Sequence, residues 1–239
     1  MLLVQNLSVS YRSFTALNDV SCTFDAGELV GIFGPNGSGK STMVKAMLGL
    51  IRSATGTVLL KGKPLTHQLS QVAYVPQRSQ IDWDYPVTVW NVAMMSRTLQ
   101  TGLFRQPSRQ SRERVKAALE RVGMYEYRDR SISDLSGGQQ QRVFLAGALA
   151  KEAELLILDE PFAAVDRKTE SIMFEIFSEL KAQAKTLLVI SHDLGEILGH
   201  YDRMLLLNKR VIAQGSRYEV MTKDNLLAAY DAPVRFIAA

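Results

Sequence analysis

Eight residues constrain this chain more than any other feature: Gly34-Pro35-Asn36-Gly37-Ser38-Gly39-Lys40-Ser41. They fit the pattern glycine, four residues, glycine, lysine, serine or threonine, and they follow Glu28 to Phe33, an apolar stretch that reads as a short buried strand. A helix is expected to open near Lys40 and to stop near Gly49. In that strand-to-helix setting the run reads as a phosphate cradle. Glycines let successive backbone N–H groups turn toward one centre, and the helix N-terminus adds partial positive charge. Lys40 supplies a full cation to terminal phosphates, and the Ser41 hydroxyl is placed to ligate Mg2+. The expected nucleotide site comprises Gly34, Pro35, Asn36, Gly37, Ser38, Gly39, Lys40, Ser41 and Thr42.

The rest of the chain suits an α/β fold. Apolar segments at Leu2 to Val9, Thr57 to Leu60 and Val72 to Val75 read as further strands of a β-rich first third. From Thr88 to about Ala150 helical periodicity takes over, interrupted by a loop from Arg105 to Ser111 around Pro107. Leu155 to Leu158, Thr186 to Ile190 and Met204 to Leu207 return as strands, the first two flanking a helix from Lys168 to Lys181. Asn208-Lys209 is expected to turn the last strand back into Val211 to Ala213. Strands alternating with helices imply a parallel sheet with crossover connections. The 239 residues suit one domain. Its nucleotide-binding α/β core is expected from residues 1–77 and 155–239, with a helical subdomain inserted at 78–154.

Leu155-Leu-Ile-Leu-Asp159-Glu160 places two acids at the end of an apolar strand. Burying adjacent carboxylates is costly unless they meet a metal or polar partner. Asp159 fits a group that holds Mg2+, and Glu160 one that orients or deprotonates an attacking water.

The longest apolar stretch, Val143 to Ala150, falls far short of the roughly 20 residues of a bilayer span. Residues 1–6 show no export signal, and the single cysteine, Cys22, excludes an internal disulfide and suits a reducing compartment. Cys22 reads as a small buried apolar residue. The net charge of +4 is concentrated between Arg97 and Arg130, where eight Arg and one Lys meet three Glu and one Asp. Such mixing reads as a solvated helical face, and no nucleic-acid partner is expected.

Leu135-Ser136-Gly137-Gly138-Gln139, with Gln140-Gln141-Arg142 after it, resembles the signature of ATP-binding cassette (ABC) ATPases. The likeness runs from Leu3 to about Gly215. It implies a P-loop NTPase core, a RecA-like parallel sheet with an N-terminal antiparallel β subdomain, that binds and hydrolyses ATP with Mg2+. It also implies roles by position. Tyr11 would stack on adenine, and Gln77, after Tyr74-Val75-Pro76, would link the Mg2+ site to the helical subdomain. Ala163-Ala164-Val165-Asp166 would cross a dimer interface, although the family more often has Ser first. His192 would touch the γ-phosphate. Two copies would pack head-to-tail, each burying ATP between its own Lys40 loop and the partner's Ser136, Gly137, Gly138 and Gln139. The implied catalytic group is therefore Glu160, His192, Gln77 and Lys40, and the Mg2+ ligands Ser41, Gln77 and Asp159.

The segment from Arg78 to Val92, with Ile81-Asp82-Trp83 and Pro86-Val87-Thr88-Val89, is similar to the manganese, zinc and iron-chelate importer branch. Trp83, Tyr85 and Trp90 offer surface for a permease helix or for subdomain packing. Asp82 and Asp84, two residues apart without further donors, make a poor metal site. Met94 and Met95 are expected as core filler, and His67 and His200 as surface or packing residues. The resemblance implies separate membrane permease subunits, an external metal-binding protein and a peripheral place on the cytoplasmic face of the cell membrane. Manganese leads among cargoes. Zinc, iron chelates or another cargo remain open, as does a soluble non-transport cassette protein, although there is no room here for a coiled-coil insertion and no second cassette.

Overall fold

The computed structural model describes residues 1–12, 14–52, 54–81, 85–102, 106–163 and 165–230. The chain begins with β1 (Leu2–Tyr11), β2 (Phe14–Phe24), β3 (Leu29–Phe33), α1 (Lys40–Met47), β4 (Ala54–Leu60) and β5 (Lys63–Pro64). Then come β6 (Val72–Val75), α2 (Val89–Met95), α3 (Thr98–Thr101), α4 (Arg109–Arg121), α5 (Gly137–Lys151) and β7 (Leu155–Asp159). The remainder is α6 (Arg167–Ala182), β8 (Thr186–Ile190), β9 (Arg203–Asn208), β10 (Arg210–Gly215), α7 (Arg217–Val220) and α8 (Lys223–Tyr230). Residues 1–69 with 180–239 form one compact unit, and 70–179 a second.

In the first unit an antiparallel sheet runs in the order β2-β1-β4-β5. Leu2, Val4, Leu7 and Val9 of β1 are buried, while Gln5, Asn6 and Ser10 face water, the in-out pattern of a sheet with one covered face. The same unit holds strands in the order β10-β9-β3-β8, with β3 parallel to both β8 and β9 and β10 folded back on β9. Every residue of β3 and β8 is buried, as parallel strands covered on both faces require. Phe33 closes the end of β3 by setting its ring edge-on to Tyr201, 5.4 Å between centroids.

In the second unit β6 and β7 pair in parallel, Val72 beside Leu155 and Val75 beside Leu158. The helix α5 packs against both α2 and α4. Its buried positions, among them Val143, Leu145, Ala146 and Ala150, surround the helix because neighbours cover it on more than one side. Phe162 stacks on Phe174 of α6 at 4.8 Å, and Phe177 meets both rings.

The strands expected at 72–75 and 186–190 lie where the sequence places them. The loop expected from Arg105 to Ser111 is shorter on its helical side: Ser108 caps α4, its side chain accepting from the Ser111 N–H, so the helix opens at Arg109. Arg105 itself lies outside the described residues.

Candidate functional site

The glycine loop leaves β3 and enters α1 in the first unit. Lys40 is only 6% exposed, and its ammonium donates to the carbonyls of Gly34 and Pro35 at 2.8 and 2.9 Å. The cation is thus bent back over the loop that leads to it. Gly34 and Gly39 are required by geometry: both have positive φ, 152° and 99°. A Cβ on Gly34 would sit 2.0 Å from the Leu207 carbonyl oxygen. One on Gly39 would sit 2.6 Å from the Leu17 side chain. Gly37 instead borders open space. No side chain caps α1, and its first turn carries no acid, so the amides of that turn are left for an anion. The Ser38 hydroxyl is buried without a hydrogen-bond partner among the described residues. Ser41 and Thr42 are half-buried in the first turn, and Asn36 is exposed.

Because β3 and β8 are parallel neighbours, the residues after each strand emerge at one edge. His192 therefore emerges, exposed, beside the glycine loop, and the Ser191 N–H donates to the Ile32 carbonyl. Tyr11 ends β1 with its side chain 47% exposed.

The second unit assembles the acids. Asp159 ends β7 at 1% exposure, and Glu160 follows in a left-handed conformation, φ 51°. Gln77 leaves the neighbouring β6 at the same end, and its side-chain amide donates to the Glu160 carboxylate at 2.6 Å. Tyr74 lies on β6 beside Ile157. Burial first, then the negative charge of the nearby Asp159, pushes its phenol up to about 12. In the turn that follows, the Ala163 N–H donates to the Glu160 carbonyl. Asp166 opens α6 by accepting from the Thr169 N–H at 2.7 Å. That bond and one from the Thr169 side chain hold its carboxyl below the usual range. Ala164, between them, lies outside the described residues.

Ser136 and Gln139 form a reciprocal capping box at the start of α5, so the hydroxyl has a local duty as well as an exposed face. The glycines have other grounds. A Cβ on Gly138 would come 3.3 Å from Val165 and 3.4 Å from the Thr169 hydroxyl, so α5 and the start of α6 meet closely there. Gly137 is half-exposed at the first position of the helix. Two residues that sequence reasoning passed over complete this region. Arg78 donates through Nε and Nη2 to the side-chain oxygen of Gln140, at 3.1 and 3.0 Å. Gln140 falls within the signature run, but the sequence gives it no role of its own, since its neighbours are also glutamines.

The same unit contains an apolar cavity of about 450 Å3. Tyr74, Pro76, Ile81, Tyr85, Met95 and Phe144 are among its lining residues. Tyr85 and Met95 are 60% and 55% exposed, so Met95 is not the core filler expected of it: it stands at the end of α2, where the helix core has ended. Met94 and Trp90 are half-buried, and Asp82, Trp83 and Asp84 lie outside the described residues. The basic stretch is partly structural. Arg97 is buried and donates to the Ala150 carbonyl, while Arg114 pairs with Glu152 and Arg121 with Glu179. Cys22 is buried, and burial pushes its thiol up to about 12.

Among the described residues no cluster of three or more His, Cys, Asp or Glu could hold a metal by itself. Ser41 in the first unit and Gln77 and Asp159 in the second carry a hydroxyl, an amide oxygen and a buried carboxylate, hard oxygens of the kind Mg2+ takes.

A family model described as ABC transporter matches residues 17–163. The chain is 46% identical over 227 residues to the manganese transport system ATP-binding protein MntB of Halalkalibacterium halodurans, covering 95% of this chain and 90% of that one. It is 45% identical over 227 residues to the zinc transport system ATP-binding protein TroB of Treponema pallidum, covering 95% and 85%. Among solved structures, a metal-chelate type ABC transporter in an inward-facing conformation matches with a TM-score of 0.84 at 25% identity, over 97% of this chain and 89% of that chain. A dimeric ATP-binding cassette in a post-hydrolysis state with ADP and phosphate matches with a TM-score of 0.78 at 26% identity, over 90% and 98%.

Proposed function

Since the chain belongs to the ABC transporter family, we propose that it is the ATP-hydrolysing subunit of a transition-metal uptake system whose cargo is manganese. The observation that carries the ATP reading is the Lys40 loop, a cation folded onto the Gly34 and Pro35 carbonyls at the start of a helix that no side chain caps. The cargo reading is supported by relatives named for manganese and zinc transport; manganese is the commoner name among them.

In this reading Gly34 to Thr42 hold the phosphates through backbone N–H groups and the Lys40 ammonium, and Tyr11 stacks on the adenine. Ser41, Gln77 and Asp159 hold Mg2+, which supplies charge neutralisation on the phosphates. Glu160 accepts a proton from the attacking water, and His192 donates toward the terminal phosphate. Before nucleotide binds, the Gln77 amide occupies the Glu160 carboxylate, so the base is held in place but engaged. Ser136, Gly137, Gly138 and Gln139 close on ATP held by a second copy, a sandwich supported by the dimeric cassette found similar. Hydrolysis removes the charge that both copies grip, and the pair opens.

No helix of the described residues is long and apolar enough to cross a membrane. The transporter-named relatives support a cargo path through separate permease subunits, with a helix of theirs seated in the cavity lined by Tyr85 and Met95. In this reading the subunit lies peripherally on the cytoplasmic face of the cell membrane, served from outside by a metal-binding protein. The test is uptake of radioactive manganese and zinc by cells lacking the gene, complemented with wild type or Lys40→Ala. Wild type should restore manganese uptake and Lys40→Ala should not. Restored zinc uptake alone would shift the cargo, and restoration by Lys40→Ala would refute the ATP-driven role.

A further inference from the structure

Gln140 is 3% exposed, and both ends of its amide are committed. Its nitrogen donates to the Ile132 carbonyl at 3.0 Å, and its oxygen accepts two N–H groups from the Arg78 guanidinium. Its backbone N–H closes the first turn of α5 on the Ser136 carbonyl at 2.9 Å. One residue therefore binds the segment before the signature, the signature serine itself and Arg78. On the other side, Arg78 is joined by a single peptide unit to Gln77, whose amide holds Glu160. Adjacent residues of one short segment thus reach the hydrolytic acid and the signature turn.

Two donors of a rigid planar guanidinium on one carbonyl oxygen fix direction as well as distance, which a lysine ammonium cannot do. Removing the guanidinium strands a buried acceptor, so the turn must readjust to satisfy it. We propose that Arg78 and Gln140 are positioning residues that hold the turn from Ser136 to Gly138 in the orientation needed to close on ATP carried by a second copy. The proposal rests on the sandwich reading above and deepens it.

The test uses the full chain in a Glu160→Gln background, with Arg78→Ala, Arg78→Lys, Gln140→Ala and the Arg78→Ala/Gln140→Ala pair added. ATP binding to dilute monomer is read with a fluorescent analogue, and the dimer constant at saturating ATP and Mg2+ by sedimentation equilibrium. Monomer affinity should stay within about twofold, while either alanine variant weakens dimerisation at least about tenfold and the pair costs no more than one of them. Arg78→Lys, which keeps the stem and charge and so folds even if alanine does not, should weaken it less. Unchanged dimer constants, or losses that multiply in the pair, overturn the tie while leaving the sandwich intact. Failure of the Glu160→Gln parent itself to dimerise refutes the sandwich, and the tie falls with it.

Discussion

At the scale of residues, the glycine loop is a site where backbone conformation and chemistry coincide. Gly39 combines φ of 99° with a Cβ position already occupied by Leu17 and the Ala16 carbonyl. Gly39→Ala should therefore destabilise the fold by about 1–3 kcal/mol and abolish detectable ATP binding. Thermal unfolding and nucleotide fluorescence would check both; a variant with wild-type affinity would contradict the cradle. The loop was legible from the sequence because its spacing is dictated by that geometry. The engagement of Glu160 by Gln77 was not, since the two stand 83 residues apart and only the pairing of β6 with β7 sets them at one end.

At the scale of elements, the strands buried on both faces were the readable ones. Continuous apolar runs such as Thr186 to Ile190 announce themselves. β2 did not, because its alternation is broken by irregular pairing with β1. Asn6, φ 50°, and Asp19, φ 53°, lie at successive register shifts on either side of the Leu7–Val20 pair, and the Asn6 side-chain amide donates to the Asp19 carboxylate at 2.7 Å. Those two residues shift the inward set of side chains out of phase. In α6, Phe177 is fully buried against Phe162 and Phe174. Phe177→Ala should cost about 3–5 kcal/mol in denaturant unfolding, and a loss below about 1 kcal/mol would contradict the packing described. The start of α6 should respond to acid. Thr169 holds the Asp166 carboxyl below its usual range, so the stabilisation is complete above the unfolded-state value near ~3.9. It is lost as pH falls through the depressed folded value. Asp166→Asn should flatten that acid limb in a series of melting temperatures, and an identical limb in both proteins would contradict the cap.

At the scale of the whole molecule, the residues of the proposed function are divided between the two units. The first holds the phosphate loop, Tyr11 and His192; the second holds Gln77, Asp159, Glu160 and the turn from Ser136 to Gly138. The change from strand patterning to helices was readable, because helical periodicity takes over after Thr88, where α2 begins at Val89. The compact units, divided after residues 69 and 179, are set by packing: β6, β7 and α6 belong largely with the helices. A lone chain should hydrolyse ATP slowly at low concentration and faster as pairs form, so specific activity should rise with protein concentration; a flat profile would favour a self-contained site. The most direct measurement of the central claim is phosphate release by the purified chain with ATP and Mg2+, wild type against Glu160→Gln. Turnover in the variant should fall at least about a hundredfold while ATP binding persists. An undiminished rate would contradict the claim that this acid, presented by β7 and held by Gln77, drives the reaction.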